Sequence, residues 1–266
     1  MKPLATLFFA TLTISSVLAE SPTLVVDSTF QKADADGRPL TATAPFDSGE
    51  LPLRMPTTVD ESPGSASSPS QARVGKEVFG LLKPPYLILQ TGEDSKEPGA
   101  IADVGVFWDL QKLALSEGRY EVSFDTAASQ TDKTGGAFQI VFRSQAPNFL
   151  ATVNPASRIG TVWFMKNGQM LVAGAGKGGE GPALIPYQAD ELYHCVMRID
   201  LDKRVWSCVI NGEPLVEAQK LPDFLQEDAA GPLSLSGIAF SSRRGMMAQP
   251  DARFLLANVK VIKLAN

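Results

Sequence analysis

Cysteine and histidine are nearly absent. The 266 residues hold two cysteines and one histidine, which removes much of the chemistry built on those side chains. A zinc centre needs more nitrogen and sulfur ligands than this. Ser-His-Asp or Cys-His catalysis would have to use His194. Its neighbour Cys195 points to the opposite face of a strand, so the two form no nucleophile–base pair. Positive charge is also in deficit: 24 Lys and Arg stand against 29 Asp and Glu, a net charge of −5. Phosphate backbones call for a basic surface, so nucleic acid is not an expected partner. Beyond residue 19 no apolar run approaches the ~20 residues of a membrane helix. None of the six asparagines stands in N-x-S/T, so no glycosylation site is expected. There is no internal repeat and no rhythm of strands with long helices, which excludes a parallel α/β fold.

What is present begins with a leader. Residues 1–19 carry one Lys, an apolar run, and the small residues Val17 and Ala19 at −3 and −1 of a cut after Ala19. This is the pattern of a secretory signal peptide. An exported protein, periplasmic or extracellular, is expected, with residues 20–266 as a single domain. No cysteine follows the apolar run, so no lipid anchor is indicated.

Short runs of alternating apolar residues follow, separated by turn signals: residues 24–26, the second half of 78–90, 104–108, 120–125, 137–143, 161–165, 169–172, 238–240 and 254–264. Residues 110–116 fit one helical turn or a loop, and residues 221–228 are ambiguous. Asn167-Gly168 is a favoured tight-turn pair. Residues 38–75 are rich in Pro, Ser, Gly and Thr, and a flexible loop is expected near 59–75, centred on Ser62–Ser70. Many short strands with turns between them predict an all-β, two-sheet antiparallel β-sandwich.

The stretch Tyr193–Leu215 is the best-specified hairpin. A four-residue turn at Asp200–Lys203 would place Ile199 opposite Arg204, Met197 opposite Trp206 and Cys195 opposite Cys208. That register makes one face largely apolar and sets the thiols across from each other, so a disulfide Cys195–Cys208 is expected.

Six stretches resemble the concanavalin A-like lectin/glucanase superfamily in its laminin-G-like jelly-roll branch. They are L-V-V-D-S-T-F at 24–30, G-R-Y-E-V-S-F-D at 118–125 and W-F-M-K-N-G-Q-M at 163–170. L-Y-H-C-V-M-R-I-D-L-D at 192–202, C-V-I-N-G-E-P-L at 208–215 and F-L-L-A-N-V-K-V at 254–261 complete the set. The resemblance implies two curved antiparallel sheets, with ligands on the concave sheet or at loop tips. Where members often carry Asp-Asn near the end, this chain has Ala257-Asn258.

Within that resemblance, glycosidases carry E-x-D-x-E on a strand like Glu121-Val122-Ser123-Phe124-Asp125, which matches only in part. In a regular strand Glu121 and Asp125 lie about 13 Å apart at ~3.3 Å per residue. Retaining hydrolysis wants roughly 5–5.5 Å and inverting hydrolysis roughly 6.5–9.5 Å. The pair is therefore a weak catalytic candidate. Glu121, Asp125, Gln139, Arg143, Arg198 and Ser207 are expected on an exposed sheet face, where carboxylate, amide and guanidinium groups can hydrogen-bond hydroxyls. Trp108, Trp163 and Trp206 are candidate sugar platforms, with Trp163 and Trp206 assigned to the core. Gly174–Gly181 has phosphate-loop composition, but Gly178 follows Lys177 where Ser or Thr belongs and Pro182 follows where a helix should start. Asp34-Ala35-Asp36-Gly37 begins like a calcium loop and lacks the remaining ligands, so no cofactor or metal is expected. Calcium stays open through loops distant in sequence. Arg243-Arg244-Gly245-Met246-Met247 is a loop that offers a contact surface or tucks against its own sheet.

The residues thus point to an exported, non-catalytic binding module for carbohydrate, such as a polysaccharide or cell-surface glycan, or for another cell-surface partner. A glycan hydrolase or lyase and a structural envelope protein are the alternatives.

Overall fold

The computed structural model describes residues 21–28, 57–61, 71–75, 77–93, 101–102, 104–129, 136–142, 158–165, 167–173, 183–221, 233–242 and 251–265. The leader, the Asp34 turn, Ser62–Ser70, the Gly174–Gly181 loop, Arg143, residues 222–228 and Arg243–Met247 lie outside the described residues.

The strands run in chain order as β1 (Thr23–Ser28), β2 (Thr57–Glu61), β3 (Gln71–Gly75), β4 (Tyr86–Gln90), β5 (Gly92–Glu93) and β6 (Ile101–Ala102). Next come β7 (Val104–Asp109), β8 (Arg119–Ala128), β9 (Gly136–Phe142), β10 (Arg158–Met165), β11 (Gln169–Ala173) and β12 (Ala183–Pro186). The last five are β13 (Tyr193–Asp200), β14 (Val205–Ile210), β15 (Glu213–Lys220), β16 (Leu235–Ser242) and β17 (Arg253–Lys263). A single 3-10 turn at Gln111–Leu113 resolves the 110–116 alternative. No described helix is long and apolar enough to cross a membrane.

Two antiparallel sheets form a sandwich. One runs β15-β14-β13-β8-β17-β4-β3, with β1 also paired to β17; the other runs β12-β11-β10-β9-β16-β7-β2. β17 is long enough to hold β4 along its first half and β1 along its second, on the edge opposite β8. A bulge between Ala257 and Lys260 separates the halves, with Asn258 at φ 51°. An extra residue of this kind bends a strand and sharpens its twist.

Alternation places the core. Tyr120, Val122 and Phe124 of β8 are buried, and so are Phe138, Ile140 and Phe142 of β9 in the facing sheet. Phe124 stacks on Phe138 with centroids 3.8 Å apart and an interplanar angle of 23°. Phe254 tilts against Phe240 at 5.2 Å and Phe164 at 5.8 Å. Each such pair adds about 0.5–1.5 kcal/mol beyond area burial. Gly136 makes room for this seam, because a Cβ there would lie 2.6 Å from the Phe254 ring.

The hairpin forms with its turn one residue later than expected. Asp200 pairs with Val205, Ile199 with Trp206, Met197 with Cys208 and Cys195 with Ile210. The facial assignment holds, while the cross-strand partners shift by two. Leu201 is buried, so it enters the turn as an apolar anchor. Its N–H donates to Gly118 O at 3.0 Å, and Asp200 Oδ1 accepts the Lys203 N–H at 2.8 Å. Arg204 takes the left-handed turn position at φ 54°. The expected Cys195–Cys208 disulfide is therefore corrected: the two are diagonal rather than facing neighbours, and both are free buried cysteines. Diagonal positions lie about 7–8 Å apart, too far to bridge without moving the backbone.

The region near 59–75 also differs. β2 and β3 occupy its ends as edge strands of the two sheets, and Ala72 and Val74 alternate into the core. β12 and β15 are further edge strands that weak alternation hides.

Two predictions follow from the packing. Burial raises the Cys208 thiol to about 12; it also raises Cys195 well above its ordinary value, with Cys208 and Asp125 adding to that shift. In the unfolded chain both thiols ionise near pH ~8.5, so the folded state then holds more protons than the unfolded one. Stability is fully present below that pH. It falls as pH rises, by roughly 1.4 kcal/mol per pH unit for each thiol. Urea midpoints between pH 8 and 10 should drop for the wild type and stay flatter for Cys195→Ala/Cys208→Ala. Gly136→Ala should destabilise by about 1–3 kcal/mol through overpacking against Phe254, read as a lower denaturation midpoint at unchanged m-value.

Candidate functional site

The outer face of the eight-stranded sheet divides into a covered half and an open half. Tyr86, Ile88, Ala127, Leu255 and Ala257 form an apolar patch there, and the segment 77–85 folds over it with Leu82 and Phe79. This explains why β4 is buried along its whole length instead of alternating. The segment is held by reciprocal backbone bonds between Phe79 and Leu82 at 2.9 and 3.0 Å. Gly80 turns it at φ 56°, and a side chain there would lie 2.6 Å from the Asp190 carbonyl.

The open half is polar and lies across β8, β13, β14 and the bulge of β17. β8 pairs with β13 without a register break, placing Glu121 opposite Arg198, Ser123 opposite Val196 and Asp125 opposite His194. Arg198 Nε donates to Glu121 Oε2 at 2.9 Å. His194 Nδ1 meets Asp125 Oδ1 at 2.6 Å, and Asn258 Nδ2 donates to Asp125 Oδ2 at 2.6 Å. Both Asp125 oxygens are thus engaged, and its side chain is 17% exposed against 57% for His194. An anionic carboxylate only accepts, so Nδ1 is the donor in this contact and Nε2 is the ring nitrogen left for a ligand. The Asn211-Gly212 turn clasps the same residue: His194 N donates to Asn211 Oδ1 at 2.7 Å, and Asn211 N donates to His194 O at 2.9 Å. Asn211 and Gly212 take φ of 51° and 84°, the pair of positive values a tight hairpin turn demands.

Of the expected site residues, Glu121, Asp125, Arg198 and Ser207 share this face, with Ser207 paired to Arg198. Gln139 does not join them. It lies in β9 of the other sheet, paired with Ala239 of β16; the apparent match of its strand to β8 is that of two strands facing each other across the core. Because the β8 ladder is regular, Glu121 and Asp125 stay about 13 Å apart at ~3.3 Å per residue. Trp108 and Trp206 are core residues, while Trp163 is only half-buried, on the face of β10 opposite buried Val162 and Phe164. Its core assignment is corrected: half-buried Leu171 pairs with it on that outer face. Among the described residues no group of three or more His, Cys, Asp and Glu is placed to hold a metal ion.

Sequence reasoning put His194 on the solvated face but did not connect it to Asp125, 69 positions earlier. Asn258 was visible only as the retained half of an Asp-Asn pair whose first position is Ala257. Its left-handed backbone is the signal that makes it special, since Asn tolerates that conformation better than most residues.

No family model matches this chain, and no curated protein matches it. Among solved structures, an alginate lyase in complex with alginate trisaccharide is similar at 12% identity and a TM-score of 0.50, over 92% of this chain and 100% of that one. A sialidase aligns at 17% identity and a TM-score of 0.47, over 77% of this chain and 16% of that one. The binding domain of Paraclostridial Mosquitocidal Protein 1 aligns at 11% identity and a TM-score of 0.45, over 92% and 49%. The chain thus spans a small part of the sialidase and about half of the toxin domain. At such identities the likeness to the alginate lyase is one of fold, and it agrees with the topology above: this chain is an all-β antiparallel sandwich.

Proposed function

We propose that this protein is an exported, non-catalytic module of the concanavalin A-like type. It binds a polysaccharide or cell-surface glycan on the polar outer face of its eight-stranded sheet. The observation that carries the reading is the fixed polar stripe of Glu121, Asp125, His194, Arg198 and Asn258. Its side chains are held by mutual hydrogen bonds on three adjacent strands. Groups pre-positioned in this way exchange hydrogen bonds with hydroxyls at low ordering cost. The two carboxylates of the stripe are too far apart to share one glycosidic bond.

One contact favours a second reading, a glycan hydrolase or lyase. An imidazole oriented by Asp125 offers Nε2 as a general base. That reading requires chain cleavage, visible as new reducing or unsaturated ends, and its loss in His194→Gln. A purely structural envelope role would leave the stripe without a ligand.

A glycan array probed with purified protein, with and without calcium, tests the main reading. At least one polysaccharide should bind without being shortened. Arg198→Ala and Asp125→Ala should weaken that binding about tenfold or more, as for loss of a charged hydrogen bond. Breaking the exposed Glu121–Arg198 pair should cost under about 1 kcal/mol of stability. Failure to bind any glycan in either condition removes the proposal.

A further inference from the structure

A cavity of about 350 Å³ opens on the covered half of the same outer face, between β3, β4, β17 and the segment 77–85. Its size falls within the roughly 300–1,000 Å³ of small-molecule sites. Arg73 and Arg253 line it with Glu77, and Phe79, Tyr86 and Leu255 supply its apolar surface. Cations outnumber carboxylates in this lining. The register explains the convergence: Arg73 pairs with Ile88, which pairs with Leu255, while Arg253 pairs with Gln90, two residues along β4 and on the same face.

Arg73 is the informative residue. Its Nε is sealed from solvent and has no hydrogen-bond partner among the described residues. Among the described residues neither guanidinium forms an ion pair with Glu77. A partly buried guanidinium without an acceptor carries a desolvation cost that a bound anion relieves. Its planar fork suits a carboxylate. Bare phosphate would satisfy the charge and leave the Phe79, Tyr86 and Leu255 walls uncovered. A pyranose ring bearing a carboxylate satisfies both, setting its C–H face on the aromatic wall and its anion on the arginines.

We infer that this cavity binds a uronic-acid residue of an acidic polysaccharide. The inference rests on the carbohydrate reading above and narrows its ligand to the acidic class.

Calorimetric titration of the full chain with galacturonate oligosaccharides, matched neutral gluco-oligosaccharides, benzoate and inorganic phosphate tests it. Liposomes of phosphatidylglycerol form a further arm, because Val78 and Leu81 of the covering segment are 68% and 79% exposed. The acidic oligosaccharide should bind at least tenfold more tightly than the neutral one. Arg73→Ala should weaken it roughly ten- to a hundredfold. Arg253→Ala, at an exposed position that leaves the fold intact, should weaken it as well and raise the salt tolerance of what remains. Equal binding of acidic and neutral sugars, unchanged in both variants, overturns the inference and leaves the broader glycan reading standing. Competition by benzoate or phosphate as strong as that by the uronate overturns the sugar assignment. Liposome binding without uronate binding assigns the cavity to a lipid surface and overturns it too. No binding of any glycan removes both readings.

Discussion

The double pairing of β8 is the constraint from which the rest of the molecule follows. Its backbone is committed on one side to β13 and on the other to β17. Neither the core nor the site can move without breaking a ladder. Period-two alternation then sends Tyr120, Val122 and Phe124 inward and Glu121, Ser123 and Asp125 outward. One strand thereby fixes the aromatic seam between the sheets and the spacing of the carboxylates on the surface. The Phe124–Phe138 stack and the Asp125–His194 contact are two sides of a single ladder.

How much of this was readable in the residues depended on burial contrast. β8 and β13 alternate strongly because one face meets the core and the other meets water. Their existence, type and inward residues follow directly from the pattern. β2, β3, β12 and β15 lie at sheet edges, paired on one side only, and no clear alternation marks them. β4 failed in the opposite direction: the segment 77–85 buries its second face, so alternation disappears. The hairpin turn shows a subtler limit. Facial parity is set by which residues are apolar, whereas a shift of two positions keeps parity and changes every partner. The choice between registers fell to Leu201 and to the Asp200 side chain, which are features of the turn and not of the strands.

The polar stripe and the arginine cavity were less accessible still. Glu121, Asp125, Arg198 and Ser207 could be grouped because their strands are adjacent in the sheet. Gln139 could not be excluded by its own strand, since two strands facing each other across a core carry the same alternation. Arg73 and Arg253 are 180 positions apart and meet only because β4 lies between their strands. His194 and Asn258 are assembled by a hairpin turn and a bulge respectively. Both devices depend on asparagine tolerating a left-handed backbone.

The two free thiols carry a practical consequence. The hairpin closes through turn contacts and side-chain packing, with no covalent cross-link between Cys195 and Cys208. Closing this hairpin therefore calls for no disulfide-forming oxidant. The same fold should form in a reducing cell interior as outside it, so heterologous production does not depend on the redox poise of the host compartment.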